Sequence, residues 1–248
     1  MRYFFEIAYK GTNYHGWQIQ ENAVSVQQVL TEKLSIILNE NVTITGSSRT
    51  DTGVHARQQY FHVDIIQKFN APQLLNRLNS FLPGDINIRS IREVTALAHA
   101  RFDVTRRTYE YWIINRKDPF LNDVAYRYTK ALDIENMNNA ASILTGEKNF
   151  KSFSKIKTDV KHSICEVFDA KWNTKDGILI FRISANRFLR GMVRSITGTL
   201  LDIGTRNKMV NDMHVILQSE DRKTAGRSVP ARGLCLTEVR YPLEIFIA

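Results

Sequence analysis

The 248-residue chain reads as an α+β protein of two lobes with mainly antiparallel sheets. Three observations predict this. Segments of strand period and of helix period follow one another irregularly, not in the strict βαβ order that a parallel sheet needs. A hairpin signal, Asn173-Thr174-Lys175-Asp176-Gly177, sits between two strand-like runs. The same mixture of several strands and a few helices occurs twice, without sequence repetition, about a junction near residues 95–105. Residues 1–98 therefore form an N-terminal lobe carrying Asp51, and residues 99–248 a C-terminal lobe carrying Tyr109, Arg194 and Leu234.

Arg2 to Lys10 alternates, with Tyr3, Phe5, Ile7 and Tyr9 on one side and Glu6, Ala8 and Lys10 among those on the other, which predicts a half-buried strand. After the loop from Gly11 to Gln20, Val26 to Leu38 is an amphipathic helix with an apolar stripe of Val26, Val29, Leu30, Leu34, Ile37 and Leu38. Ser25 with Gln28 three residues later fits a capping box. A short strand, Val42 to Thr45, leads into the loop that holds Asp51, and Gln59 to Ile65 is the returning strand. Pro72 starts the next helix, with Leu74, Leu75 and Leu78 facing in, and Pro83-Gly84 stops it. Ile86 to Val94 is a further strand.

In the second half, Tyr109 to Ile114 predicts a strand with Tyr109, Tyr111 and Ile113 on one face. Asp133 caps a helix carrying Ile134, Met137, Ala141 and Leu144, and Gly146 suits its C-terminal end. Glu166 to Trp172 and Ile178 to Ser184 form the hairpin. Phe188 to Ile203 predicts a helix ending at Gly204, Met209 to Gln218 another, and Leu234 to Val239 the last strand.

Lys and Arg total 34 against 25 Asp and Glu, a net charge of +9, and an excess this large points to a polyanionic partner. The hydrophobic fraction of 43% suffices for two cores. Cys165 and Cys235 lie far apart with no metal-ligand spacing, and read as buried apolar residues of a reducing compartment. No apolar secretory region follows Met1 and no apolar run is long enough to span a bilayer, so a cytoplasmic protein is expected. Phosphate loops, dinucleotide-binding glycine motifs, His-Glu-x-x-His and Gly-x-Ser-x-Gly are absent. The 6 histidines show no metal-ligand spacing, and His55 suits a structural hydrogen bond better than ligation. Neither metal nor cofactor is called for.

The stretch Gly46-Ser-Ser-Arg-Thr-Asp-Thr-Gly-Val-His-Ala-Arg57 holds one carboxylate, Asp51, among arginines and threonines. Its glycines let the chain turn sharply and approach a ligand closely. Alone, such a loop also suits a surface turn in which Asp51 serves as an Asx-turn or N-cap residue. The string Arg49-Thr50-Asp51-Thr52-Gly53-Val54-His55, however, closely resembles the signature of the TruA family of tRNA pseudouridine synthases. Four more segments, in the family's order, extend the resemblance. They are Tyr9-Lys10-Gly11-Thr12-Asn13-Tyr14-His15-Gly16-Trp17-Gln18, Arg101 to Tyr111, Phe188-Leu189-Arg190-Gly191-Met192-Val193-Arg194, and Gly233-Leu234. Thr52, where many relatives carry alanine, and Ala56-Arg57-Gln58, in place of smaller residues, are departures that bear on loop packing and RNA contacts.

The resemblance implies two α+β lobes whose sheets join into one extended sheet, helices on one side, and Asp51 in the cleft between lobes. It implies isomerisation of uridine to pseudouridine on the 3′ side of the tRNA anticodon stem-loop, without cofactor. Asp51 would be the nucleophile, attacking ribose C1′ or uracil C6, or assisting loss of uracil through a glycal. Arg194 would pair with Asp51, Tyr109 would stack on the target base and is a candidate to remove the C5 proton, Leu234 would supply an apolar wall, and Arg49 would help extrude the nucleotide. The implied partner is tRNA, and the implied assembly a homodimer.

RNA affinity would come from lysines between Lys148 and His162, namely Lys148, Lys151, Lys155, Lys157 and Lys161, with Phe150 and Phe153 interleaved, and from Arg101, Arg106 and Arg107. Two other classes stay in view: a basic RNA-binding protein without catalysis, and a metal-free ribonuclease built on His55. Tritium release from C5-labelled uridine separates the first, and chain cleavage on a gel the second.

Overall fold

The computed structural model describes residues 1–155 and 162–247. The chain divides into two compact units, one made of Met1–Thr105 with Cys235–Ala248 and the other of Arg106–Leu234. Among the described residues, no helix is long and apolar enough to cross a membrane.

The first unit begins with β1 (Arg2–Tyr9), followed by α1 (Val26–Leu38), β2 (Thr45–Gly46), β3 (His55–Asp64), α2 (Ala71–Phe81) and β4 (Ile86–Val94). β1 is flanked by β3 and β4, both antiparallel, and β2 pairs with β3. Ser25 caps α1 by accepting the Gln28 N–H at 3.2 Å, worth about 1 kcal/mol. Only half of the expected capping box forms, because the Gln28 amide bonds Glu32 at 2.9 Å instead. Val26, Leu30, Leu34 and Leu38 are the buried stripe. Asn70 caps α2, and Pro72 lies in its first turn, where a missing N–H costs nothing. Asn79 then ties α2 to β4, its amide bonding both the N–H and the C=O of Ile88 at 2.8 Å.

One expectation is corrected here. The strand expected over 42–45 is only Thr45–Gly46, because α1 side chains take the neighbouring backbone groups. Ser35 Oγ accepts the Val42 N–H, and the Gln27 amide donates to the Ile44 carbonyl. β1 is half-buried as expected, with Tyr3, Phe5, Ile7 and Tyr9 on its buried face, but Phe4 on the other face is buried as well. Phe4 is 1% exposed and packs with Val94, Ala98 and Ala100 under Tyr60, Tyr241, Ile245 and Phe246. Arg2, Glu6 and Ala8 on that same face are only partly buried.

The second unit contains β5 (Arg106–Ile114), β6 (Tyr126–Arg127), α3 (Ile134–Ser142), β7 (Gly146–Asn149), β8 (Ile164–Lys175), β9 (Ile178–Ala185), α4 (Met192–Gly204) and α5 (Asp212–Ser219). β5, β9, β8 and β7 are successive antiparallel neighbours, and β6 runs parallel to β5. The hairpin loop shrinks to Asp176-Gly177, both with positive φ (51° and 75°), the Asp-Gly turn whose twist matches that of paired strands. Asn138 clips α3 to β8 through both backbone groups of Trp172, as Asn79 does in the first unit. α3 ends at Ser142, short of Gly146, whose φ of 94° instead opens β7.

The helix expected from Phe188 starts only at Met192. Gly191 caps it in a left-handed conformation (φ 73°), which no continuing helix tolerates. Nearly every residue of α4 is buried, making it the central helix of this unit. The last strand, β10 (Leu234–Arg240), runs parallel to β3, with Cys235 opposite His55 and Leu236 opposite Ala56. Cys165 is buried, but Cys235 is only partly so, contrary to expectation.

Candidate active site

In the first unit, residues 47–54 connect β2 to β3 and hold Asp51. The loop is shaped by the segment from Tyr9 to Trp17. The Trp17 N–H donates to the Thr50 carbonyl at 3.1 Å and the Gly53 N–H to the Tyr14 carbonyl at 3.3 Å. The Val54 N–H closes a turn on the Asp51 carbonyl at 3.1 Å. Gly16 has φ 87°, and a Cβ there would stand 2.5 Å from the Thr50 oxygen, so only glycine admits this approach. Tyr14 is anchored on Asp85, its hydroxyl 2.5 Å from Oδ1. Burial, then this carboxylate, raises the Tyr14 pKa, so the hydroxyl stays a donor.

Beneath the loop lies a buried polar chain. Tyr9 donates to Gln59 Oε1 at 3.3 Å, so its bond to Thr50 Oγ1 at 2.8 Å is donated by the threonine. The Gln59 amide donates to the Ser48 carbonyl at 3.3 Å. Gln59 is wholly buried, and sequence reading passed over it because a glutamine in an alternating strand gives no sign of which face it occupies. His55 is buried and accepts the Gly11 N–H at Nδ1, 3.0 Å away, the structural role expected of it. Over this base Asp51 is partly buried, while Arg49 and Thr52 are exposed. A rigid polar floor thus presents one carboxylate with an arginine two residues before it.

Removing the Tyr9 hydroxyl should be felt. Tyr9→Phe leaves Gln59 and Thr50 each short of a buried partner, and should lower unfolding free energy by about 1–3 kcal/mol. Urea denaturation checks this; an unchanged midpoint would show that the chain is not held together there.

In the second unit, Tyr109 lies on β5, 8% exposed, with the Phe188 ring edge-on at 5.2 Å. Arg194 is in the first turn of α4, and its Nε donates to the Val229 carbonyl at 2.7 Å. Leu234 is buried at the start of β10. Arg106 sets its guanidinium 4.6 Å over the Phe168 ring. Arg107 is buried, with Nη1 donating to the Asn186 carbonyl at 2.9 Å. Lys151 is exposed and pairs with Glu220 at 3.2 Å. The Lys155 N–H donates to the Arg190 carbonyl at 2.9 Å, which docks this segment just ahead of α4. Phe150 and Phe153 are fully buried, so they anchor the lysines and offer no face to a base. Lys157 and Lys161 lie outside the described residues.

A family profile described as tRNA pseudouridine synthase matches residues 7–103 and 140–242. The chain belongs to this family. The tRNA pseudouridine synthase A of Bacteroides thetaiotaomicron is 44% identical over 248 residues, covering 99% of this chain and 92% of its own length. That of Porphyromonas gingivalis is 44% identical over 250 residues, covering 99% of each. That of Thermoanaerobacter sp. (strain X514) is 38% identical over 237 residues, covering 95% of this chain and 97% of its own. The family match spans the Tyr9–Trp17 segment and the Asp51 loop that it shapes, as well as Arg194 and Leu234.

Proposed function

We propose that this family member isomerises uridine to pseudouridine on the 3′ side of the tRNA anticodon stem-loop, with Asp51 as nucleophile. The observation that carries the reading is Asp51 itself: a single carboxylate held out on a loop whose shape is fixed by buried hydrogen bonds. Arg49 extrudes the nucleotide, since the glycosidic carbon of a stacked base is out of reach. Tyr109 stacks on the flipped uracil, Arg194 orients the nucleophile's carboxylate as a two-pronged donor, and Leu234 walls the base. The N1–C1′ bond breaks, the base turns, C5 joins C1′, and the C5 proton leaves while the freed N1 takes up a proton, so the product is an isomer of the substrate. Nothing is oxidised and no atom is gained, so the reaction asks for no cofactor. The protein acts in the cytoplasm as a homodimer.

Tritium release from C5-labelled uridine in tRNA tests this reading. A protein that binds tRNA but releases no tritium would overturn it, and strand cleavage would replace it with nuclease chemistry.

Arg106, Arg107 and the lysines Lys151, Lys155 and Lys157 supply phosphate contacts. Each contact releases counterions and adds roughly 0.7–0.9 to the slope of log affinity against log salt. Changing the three lysines to alanine should flatten that slope and weaken binding, while the single-turnover rate at saturating enzyme stays within about twofold. An unchanged slope with a collapsed rate would make the segment a structural part of the site.

A further inference from the structure

Residues 226–230 lie as a strap along the first turns of α4. The Gly226 N–H donates to Thr199 Oγ1 at 2.8 Å, and the Ser228 and Ser195 hydroxyls meet at 3.0 Å. The Val229 N–H donates to the Arg194 carbonyl at 3.2 Å, and Arg194 Nε donates back to the Val229 carbonyl at 2.7 Å. One residue on, the Pro230 carbonyl accepts the Tyr111 hydroxyl at 2.8 Å. The strap reaches this depth because Gly198 lacks a side chain: a Cβ there would stand 1.8 Å from the Arg227 carbonyl oxygen.

The consequence concerns a plane. A guanidinium is flat, and a hydrogen bond from Nε to a fixed acceptor sets the direction in which its two terminal nitrogens point. That acceptor, Val229, is held from both ends. Upstream, the Thr199 hydroxyl accepts from Gly226 and donates to the Ser195 carbonyl at 3.0 Å. Downstream, Tyr111 is wholly buried, with Gly233 packed on its ring. Burial and neighbouring Tyr126 raise the Tyr111 pKa against the pull of Arg194 and Arg232, so the hydroxyl keeps the proton it donates.

We infer that Tyr111 and Thr199 are positioning residues: they fasten the 226–230 strap so that the Val229 carbonyl sets the plane of the Arg194 guanidinium. This rests on the reading of Arg194 as the orienting partner of the nucleophile. Tyr111→Phe removes one hydroxyl and keeps the ring. Thr199→Val keeps the shape and removes both bonds, and serves if the first variant folds poorly.

The experiment is a double-mutant cycle on single-turnover rate at saturating enzyme, with tRNA affinity measured alongside. In the wild-type background, each variant should slow the reaction about tenfold, the effect of one buried hydrogen bond, with affinity changed less than twofold. In an Arg194→Lys background the same change should cost less than twofold, because lysine has no Nε whose plane the strap could set. An equal loss in both backgrounds would make the strap merely structural, and an unchanged wild-type rate would also overturn the inference. An Arg194→Lys enzyme with full activity would instead overturn the parent reading of Arg194, and the inference with it.

Discussion

Asp51→Asn should make no measurable pseudouridine while folding and binding tRNA almost as the parent does. The hydrogen bonds that shape the loop use the Asp51 backbone carbonyl and its neighbours: Val54 N–H to Asp51, Trp17 N–H to Thr50, Gly53 N–H to Tyr14. None of these depends on the carboxylate charge. Tyr9, Thr50 and Gln59 beneath are untouched. The amide fills the same volume, so what is lost is the nucleophile. Removing a group that forms the covalent bond typically costs more than about a thousandfold in rate. Pseudouridine formation by mass spectrometry or tritium release, beside a melt and a tRNA binding curve, gives the answer. Turnover at even a tenth of the wild-type rate would show that another group attacks.

Arg194→Lys should lower the single-turnover rate about a hundredfold and change tRNA affinity by less than about threefold. The charge survives. What goes is the Nε bond to Val229 and the planar fork, which together let one residue be fixed by the strap and still offer two aligned donors to a carboxylate. An ammonium on a flexible stem satisfies one demand or the other, and misalignment at reacting distance is costly. Unchanged turnover would make Arg194 a packing residue of α4. A rate lost in proportion to affinity would make it a phosphate contact.

What the sequence determined by itself is local. The Ser25 and Asp133 caps, the Pro72 start, the hairpin turn within residues 173–177 and the span of α1 are properties of a few neighbouring residues, and short-range sterics and hydrogen bonding decide them. The Asp51 loop was legible for the same reason, as one unbroken string. The rest depended on partners distant in the chain. Alternation could say that Tyr3, Phe5 and Ile7 seek burial, but not that Phe4, on the other face, is covered by Tyr241, Ile245 and Phe246. Helical spacing ran through Phe188 to Leu189, but the left-handed Gly191 delayed α4 to Met192, which frees Phe188 to meet Tyr109. Phe150 and Phe153 read as an RNA-facing stretch until burial placed them in a core. Gln59 and the 226–230 strap gave no signal at all, because a hydrogen bond between residues far apart in sequence leaves no periodicity in either. Period and propensity report what a residue can do alone; which group meets it is settled only when loop closure brings the partner there.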